Sequence, residues 1–407
     1  MRIPFTLCSV ALGTTLSAQD PVIQGIIDAV QIDSMMHYVE QISGEVSVNV
    51  GAGPEFIITR HLADPGDALS QAFLEQKFTE LGYTPTIQTF PTSLGTGHNI
   101  LVSKTGTVYP DSIVILCGHY DTYVHSPYAA PAADDDGSGC GAVLEAARIL
   151  SDIEFEYTIV FALWDEEEQG KLGSIYYASH AAGLDVGIKW VLNMDAIAYD
   201  GNGDTKARIH TKPIAHSLAL ADSVFAIRDR YAIDLDLILT NPGAIYSDHA
   251  SFWSNQYSAV LIIEEFGADG NPQYHTPNDR VNLFDVPYYE KLARLSIGTL
   301  ATLAVPVTTT AIHGAVDPIT TKVDLRAYPN PASTDMVVCL EAVVADRYTM
   351  QLINAMGQEV AVLHNGPLAA GKHNIALPVA SMAPGAYSVV VRSTGGVNLA
   401  VHVVRTP

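Results

Sequence analysis

The sequence predicts an α/β domain on a mixed, largely parallel sheet with helices on both faces, followed by a small all-β sandwich. Two observations carry this. From residue 112 onward short apolar runs ("SIVILC", "YTIVFALW", "IKWVLNM", "AVLIIEEF") alternate with segments of helical pattern ("GAVLEAARILSD", "SIYYASHAAG"). Strands that are almost continuously apolar belong to sheets covered on both sides. After Pro318 the pattern changes to short β-rich runs broken by Pro, Asn and Gly ("YPNPAS", "NAMGQE", "NGPLAAGKHN", "APGAYSVVV"). That texture suits a sandwich of roughly 80 to 90 residues. Charge changes at the same place. Residues 318–407 hold six Lys/Arg and five Asp/Glu, a net of +1, so the preceding residues carry −24 against a total of −23. The expected division is residues 1–18, 19–310, a linker over 311–323, and the sandwich over 324–407.

In chain order, "MRIPFTLCSVALGTTLSAQD" has one Arg, an apolar run and small residues before Gln19. It reads as a secretory signal peptide, too short for a membrane anchor. No later stretch is long and apolar enough to span a bilayer, so stable membrane insertion is not expected. Without that leader Cys117, Cys140 and Cys339 remain, which is no disulfide framework; buried free thiols fit better. Residues 22–95 read as an α/β opening region, with "GDALSQAFLEQKFTELGY" as an amphipathic helix ending at Gly82. "VPYYEKLARLSIGTLATLA" reads as a closing helix. So acidic a body excludes nucleic acid as a partner, because phosphate binding needs the opposite sign.

Open α/β sheets bind ligands beyond the carboxyl ends of their strands. Here "SIVILC" runs into "GHYDT", giving His119 and Asp121. "YTIVFALW" runs into "DEEEQG", giving Asp165, Glu166, Glu167 and Glu168, and "IKWVLNM" runs into Asp195. "PAADDDGSG" sets Asp134, Asp135 and Asp136 before a helix start. Alone, that triplet is an ordinary solvated, helix-capping turn. If it shares one sheet edge with the other groups, only cations relieve the repulsion. Asp134, Asp136, Ser138, Gly139 and Glu145 also match a calcium-loop spacing, but Pro127 and Pro131 stand where that motif needs an entering helix. Mixed imidazole and carboxylate donors suit Zn²⁺ better than Ca²⁺ or Mg²⁺. A second His ligand is to be sought among His210, His216, His249 and His275. "NPQYHTPNDR" puts His275 in a loop after "AVLIIEEF" with Asp279 placed to brace it. Asp248 and His249 read as supporting groups. His125, His180, His313, His364, His373 and His402 read as surface or core histidines.

The ordered pieces "GHYDT", "ADDDGSG", "EEQGKLGS", "NMDA", "SDHASF" and "YHTPND" resemble the dizinc exopeptidase family of bacterial leucyl aminopeptidase, aminopeptidase Y and glutamate carboxypeptidase. Each piece alone is weak, and the ordered set is specific. The resemblance implies a zinc-exopeptidase-like fold over about residues 22–310 and two Zn²⁺. It implies that Asp135 bridges both ions, that His119 and Asp195 complete one site, and that Glu168 and His275 complete the other. It makes Glu167 the general base and Asp121 the group that orients His119, and it implies a cis peptide after Asp135. The acidic run here is "DEEE", so the register is set from Gly170, Gly173 and Ser174, which selects Glu167 and Glu168 over Glu166 and Glu167.

The tail pieces "AYPNPAS", "NAMGQEV", "AAGKHNIAL" and "PGAYSVVV" resemble the sorting domain of the type IX secretion pathway of Bacteroidetes-type bacteria. This resemblance implies export through the periplasm to the cell surface or beyond, with the type IX secretion machinery as a partner. Together the two resemblances imply a secreted aminopeptidase acting on peptide substrates. The alternatives are a carboxypeptidase or a glutaminyl-cyclase-like acyl transferase on the same scaffold, or a metal-binding surface protein without turnover. A carboxypeptidase needs a cation for the substrate carboxylate, and Arg208 and Arg280 are the candidates. A pure binding protein has no need of Glu167. No G-x-S-x-G or H-E-x-x-H occurs, which removes two competing hydrolase mechanisms.

Overall fold

The computed structural model describes residues 19–406 apart from 94, 124–128, 267–268, 308–323, 331, 343–344, 355–358 and 394–397. The leader over 1–18, the linker over 311–323, and His125 and His313 lie outside the described residues. The chain divides into two compact units, Met1–Thr308 and Thr309–Pro407.

The first unit opens with helices α1 (Pro21–Asp28), α2 (Ile32–Ile42) and α3 (Pro65–Glu80), then strands β1 (Thr86–Pro91), β2 (Thr96–Lys104) and β3 (Tyr109–His119). It continues through α4 (Gly137–Leu150), β4 (Tyr157–Trp164), α5 (Leu172–Gly183), β5 (Gly187–Met194) and β6 (Lys206–His210). It closes with α6 (Ser217–Arg230), β7 (Asp236–Thr240), α7 (His249–Ser254), β8 (Ala259–Glu264) and α8 (Val286–Ala304). Among the described residues these strands form one eight-stranded sheet in the order β1-β2-β4-β3-β5-β8-β6-β7. The centre, β4-β3-β5-β8, is parallel, while β1, β2 and the β6–β8 pairing are antiparallel.

Alternation along the central strands builds two cores. Val114 and Leu116 of β3 and Ile159, Phe161 and Leu163 of β4 face one core, shared with α1, α2, α4 and α8. Ile115 and Cys117, with Val160, Ala162 and Trp164, face the other, shared with Ala178 of α5 and Phe252 of α7. Both faces are thus buried, which is why these strands read as continuous apolar runs. β6, α6, β7 and α7 were not legible in that way. β6 ("KARIH") alternates charged with apolar residues, and β7 is an edge strand with only part of its length buried.

At the carboxyl edge two glycines make room for one carboxylate. Asp136 caps α4, its Oδ1 accepting from the Gly139 amide (2.9 Å) and the Ala196 amide (3.2 Å), and its Oδ2 from the His119 amide (3.1 Å). A Cβ on Gly118 would lie 2.4 Å from Asp136 Oδ2, and one on Gly139 would lie 2.3 Å from it. The carboxylate therefore ties the end of β3, the start of α4 and the chain after β5 together.

The second unit has strands β9 (Asp324–Tyr328), β10 (Met336–Ala342), β11 (Asp346–Asn354), β12 (Glu359–Leu368), β13 (Gly371–Leu377), β14 (Gly385–Ser393) and β15 (Asn398–Arg405). Among the described residues they form a three-stranded sheet, β13-β10-β9, and a four-stranded sheet, β12-β11-β14-β15. Val338, Leu340, Tyr348, Met350, Leu352, Val389, Val391 and Val403 fill the core between them.

Replacing Gly139 with Ala should disrupt the Asp136 clamp. Overpacking a tight site costs about 1 to 3 kcal/mol, and a loss of that size is expected in urea unfolding. An unchanged midpoint would show that the clamp yields without strain.

Candidate metal centre

The residues that precede and follow the strand ends converge at the carboxyl edge of β3, β4 and β5. His119 is the last residue of β3, Asp195 follows β5, and Glu167 and Glu168 lie in the turn after β4. Asp135 precedes α4, and the Asp135–Asp136 peptide is cis. His275, with φ of +59°, sits in the loop after β8.

Asp135 is the pivot. Its Oδ1 lies 3.1 Å from His119 Nε2 and its Oδ2 lies 3.0 Å from His275 Nε2, so each oxygen serves one imidazole. A further carboxylate stands on each side: Asp195 Oδ1 is 3.8 Å from His119 Nε2, and Glu168 Oε1 is 3.0 Å from His275 Nε2. Ligand-type atoms of His119, Asp135 and Glu168 all lie within 4.8 Å of one another. The arrangement has two lobes that share one carboxylate.

The surrounding groups are held by backbone amides. Asp121 Oδ1 accepts from the Glu167 amide (2.9 Å) and faces His119 Nδ1 at 3.3 Å, while its Oδ2 accepts from the Glu168 amide (3.1 Å). One carboxylate therefore orients the imidazole and fixes the acidic turn. Asp134 accepts from the Ala198 amide and from Asn271. The sequence suggested that Asp279 braces His275. Instead its carboxylate accepts from the amides of Asp134 and Asp135, at 3.2 and 3.1 Å. His275 is flanked by rings: Tyr274 stacks on it at 3.7 Å between centroids and Tyr123 at 4.4 Å.

The other candidate histidines are engaged elsewhere. His210 Nδ1 accepts from the Ala244 amide, His249 Nε2 donates to the Ala244 carbonyl, and His216 lies edge-on to Trp190. Burial pulls His210 down to about 4 and His249 down to about 3, so both are neutral. Asp248 is fully buried, and burial pushes it up to about 7, against the pull of His119. Asn271, Glu264, Tyr123 and Tyr274 were not singled out from the sequence. Tyr274, adjacent to His275 in "QYHTP", and Glu264, at the end of the apolar run in "AVLIIEEF", carried a local signal.

The electrostatics show what charge the site is organised around. Burial pushes Glu167 well above the usual glutamate range, with Asp248, Asp195 and Glu168 adding and His119 opposing. Burial and then Asp135 push Glu168 up to about 8. Burial alone would lower both site imidazoles, but carboxylates outweigh it. His119 is held well above its ordinary value by Asp121, Asp135 and Asp195, and His275 sits at about 9 through Asp135 and Glu168. Asp135 stays below the usual range because the two imidazoles overcome its burial. On each side, then, the carboxylates favour positive charge at the imidazole.

Two atoms test whether metal fits. Asp135 Oδ2 and His275 Nε2 are 3.0 Å apart, yet both are buried without a hydrogen-bond partner among the described residues. They point at common space rather than at each other, as two ligands of one ion do. Imidazole with carboxylate on each side is a zinc-type donor set. Glu167 stands outside this donor set: the residue is 8% exposed, and its Oε1 is buried without a hydrogen-bond partner among the described residues.

Residues 99–300 match peptidase family M28, a span that contains all five candidate ligands and Glu167. Residues 326–404 match the secretion system C-terminal sorting domain. Leucine aminopeptidase 1 of Sclerotinia sclerotiorum is 31% identical over 210 residues, covering 48% of this chain and 53% of that protein. The chain thus spans about half the length of the curated relatives it matches. The crystal structure of Legionella pneumophila LapA superposes with a TM-score of 0.61 at 21% identity, covering 73% of this chain and 79% of LapA. A zinc aminopeptidase from Bacillus subtilis does so with 0.58 at 14% identity, covering 68% and 96%. At these identities the structural likeness speaks for the fold.

Replacing Asp121 with Asn would leave one acceptor where the turn and the imidazole need two charged oxygens. Loss of such a supporting group costs about 10- to 100-fold in metal affinity or activity. Metal content after dialysis and turnover should both fall by that order. Full metal retention with full activity would show that the Glu167–Glu168 turn holds without it.

Proposed function

From a chain that carries a peptidase family M28 domain and a secretion system C-terminal sorting domain, and is thereby marked for export to the cell surface or beyond, we propose a zinc-dependent aminopeptidase. The observation that carries this is Asp135 set between His119 and His275, with Asp195 and Glu168 completing the two sides. His119, Asp135 and Asp195 would hold one zinc, and Asp135, Glu168 and His275 a second. What zinc supplies when bound is Lewis acidity, which makes water a nucleophile near neutral pH and stabilises negative charge on a carbonyl oxygen.

The protein's own groups do the rest. Glu167, buried and with Oε1 unpartnered, takes a proton from the attacking water. It then gives that proton to the leaving amine as the amide bond breaks. The Asp121 bonds to the amides of Glu167 and Glu168 fix the backbone of the turn that carries both the base and the ligand. The choice of substrate end follows from sign. The cleft offers carboxylate oxygens to an ammonium group, and both arginines considered for a carboxylate are paired: Arg208 with Glu265 at 2.5 Å and Arg280 with Glu45 at 3.1 Å. Charge matching of this kind raises encounter rate and discrimination.

Replacing Glu167 with Gln keeps shape and removes the proton acceptor. Zinc should remain bound while kcat falls by about 10²- to 10⁴-fold, and Glu166→Gln should stay near wild type in kcat. The reverse pattern would move the base by one residue.

One peptide in free, N-acetylated and C-amidated forms tests the substrate end. The free and amidated forms should be cleaved from the N-terminus and the acetylated form should resist. Cleavage of the acetylated form with resistance of the amidated one would make the protein a carboxypeptidase. Ring closure of an N-terminal glutaminyl peptide without cleavage would make it a cyclase.

A further inference from the structure

A second group of ligand-type side chains lies apart from the centre described above. Asp67 of α3, His98 of β2 and Asp165, just after β4, each offer one donor atom within 4.8 Å of the other two. Asp67 is 5% exposed and Asp165 is 0% exposed. Asp165 accepts from the amides of His98 (2.7 Å) and Glu166 (3.0 Å). By contrast Asp67 Oδ1 and His98 Nδ1 are buried without a hydrogen-bond partner, and so is Oε2 of Glu166, the next residue in the chain. Buried carboxylates ordinarily take a guanidinium or ammonium partner. The charge of Arg60 reaches Asp67, but its N–H groups are bonded to the carbonyls of Tyr120, Ile42, Pro131 and Ala132. Two buried carboxylates and a half-buried imidazole therefore stand together with ligand atoms unused and, among the described residues, no cationic side chain bonded to them.

We propose that Asp67, His98 and Asp165 form a separate structural site for a divalent cation of the zinc class. One nitrogen and two carboxylate donors suit such an ion better than the all-oxygen preference of calcium or magnesium. The consequence is mechanical. The Asp165 amide is held by Asn99 Oδ1 (3.1 Å) and its carbonyl accepts from the Gly173 amide (3.1 Å). A cation here joins α3, β2 and the end of β4 at the point where the Glu166–Glu168 turn departs. It fixes that turn from behind and touches no substrate.

The test counts zinc on the full chain. Chelator-stripped protein is titrated with zinc, desalted and analysed for bound metal, and its unfolding temperature is read with and without zinc. The variants are His98→Gln, Asp67→Asn and the double variant His119→Ala/His275→Ala. His98→Gln and Asp67→Asn should each hold one zinc fewer than the wild type and lose part of the zinc-dependent rise in unfolding temperature. The double variant should keep the zinc that His98→Gln lacks, which separates this site from the catalytic reading. Equal zinc in His98→Gln and the wild type overturns the proposal, and so does a double variant that holds none. A proton shared between Asp67 and Asp165 would leave the zinc count of Asp67→Asn unchanged, and that too overturns it. If Asp67→Asn does not fold, His98→Gln decides.

Discussion

The structure depends on the cost of bringing buried carboxylates together. Asp121, Asp134, Asp135, Asp136, Asp165, Glu167, Asp248, Glu264 and Asp279 are all buried within the first unit, and burial is the leading cause that raises most of those with a shifted pKa. A cluster of this kind forms only if each oxygen has a donor or a cation. The fold meets the first requirement with backbone amides. Asp136 takes those of His119, Gly139 and Ala196, Asp134 takes that of Ala198, Glu264 takes those of Tyr199 and Asn271, and Asp279 takes those of Asp134 and Asp135.

Those amides become available because the central strands stop together. His119 is the last residue of β3, and Ala196, Ala198 and Tyr199 follow β5 just beyond its last sheet-type bond, from the Asp195 amide to the Ile262 carbonyl. The carboxylates take up these donors, which explains why an acidic edge coincides with the carboxyl ends of parallel strands. The same bonds transmit position. Asp136 ties Ala196 to the start of α4, and so sets Asp195 relative to Asp135.

The chemistry at the strand ends was legible because it is local: an apolar run followed at once by His119, Glu167, Glu168 or Asp195 marks its own place in space. The second histidine was not separable by residue type, since His210, His216, His249 and His275 all lie in polar segments. What distinguishes them is tertiary, the Ala244 backbone claiming His210 and His249. Asp279 misled for the same reason. It is four residues from His275, but its partners are about 145 residues away in sequence, at the amides of Asp134 and Asp135. Asn271 carries no local pattern, while Glu264 does end the apolar run of β8, and its tie to Asn271 and Tyr199 is tertiary. β6 escaped notice because a half-exposed strand with alternating charge resembles a polar loop over five residues, and β7 ("DLILT") because so short an edge strand is only partly buried.

The satisfied carboxylates also show what the unsatisfied ones are for. Where the fold needs a carboxylate only as scaffold, it supplies N–H groups, as at Asp136, Asp279 and Asp121. Where it leaves an oxygen buried and unpartnered, as at Asp135 Oδ2 and Glu167 Oε1, it has built around something other than its own backbone. An amide donor at either atom would stabilise the charge and remove its reactivity, lowering the basicity that a proton acceptor needs. The orphaned oxygens sit beside the best-braced ones, one residue away in the case of Asp135 and Asp136. That neighbourhood is the physical reason for three consecutive aspartates: the outer two take backbone donors, and the middle one keeps its side-chain oxygens for the space between two imidazoles.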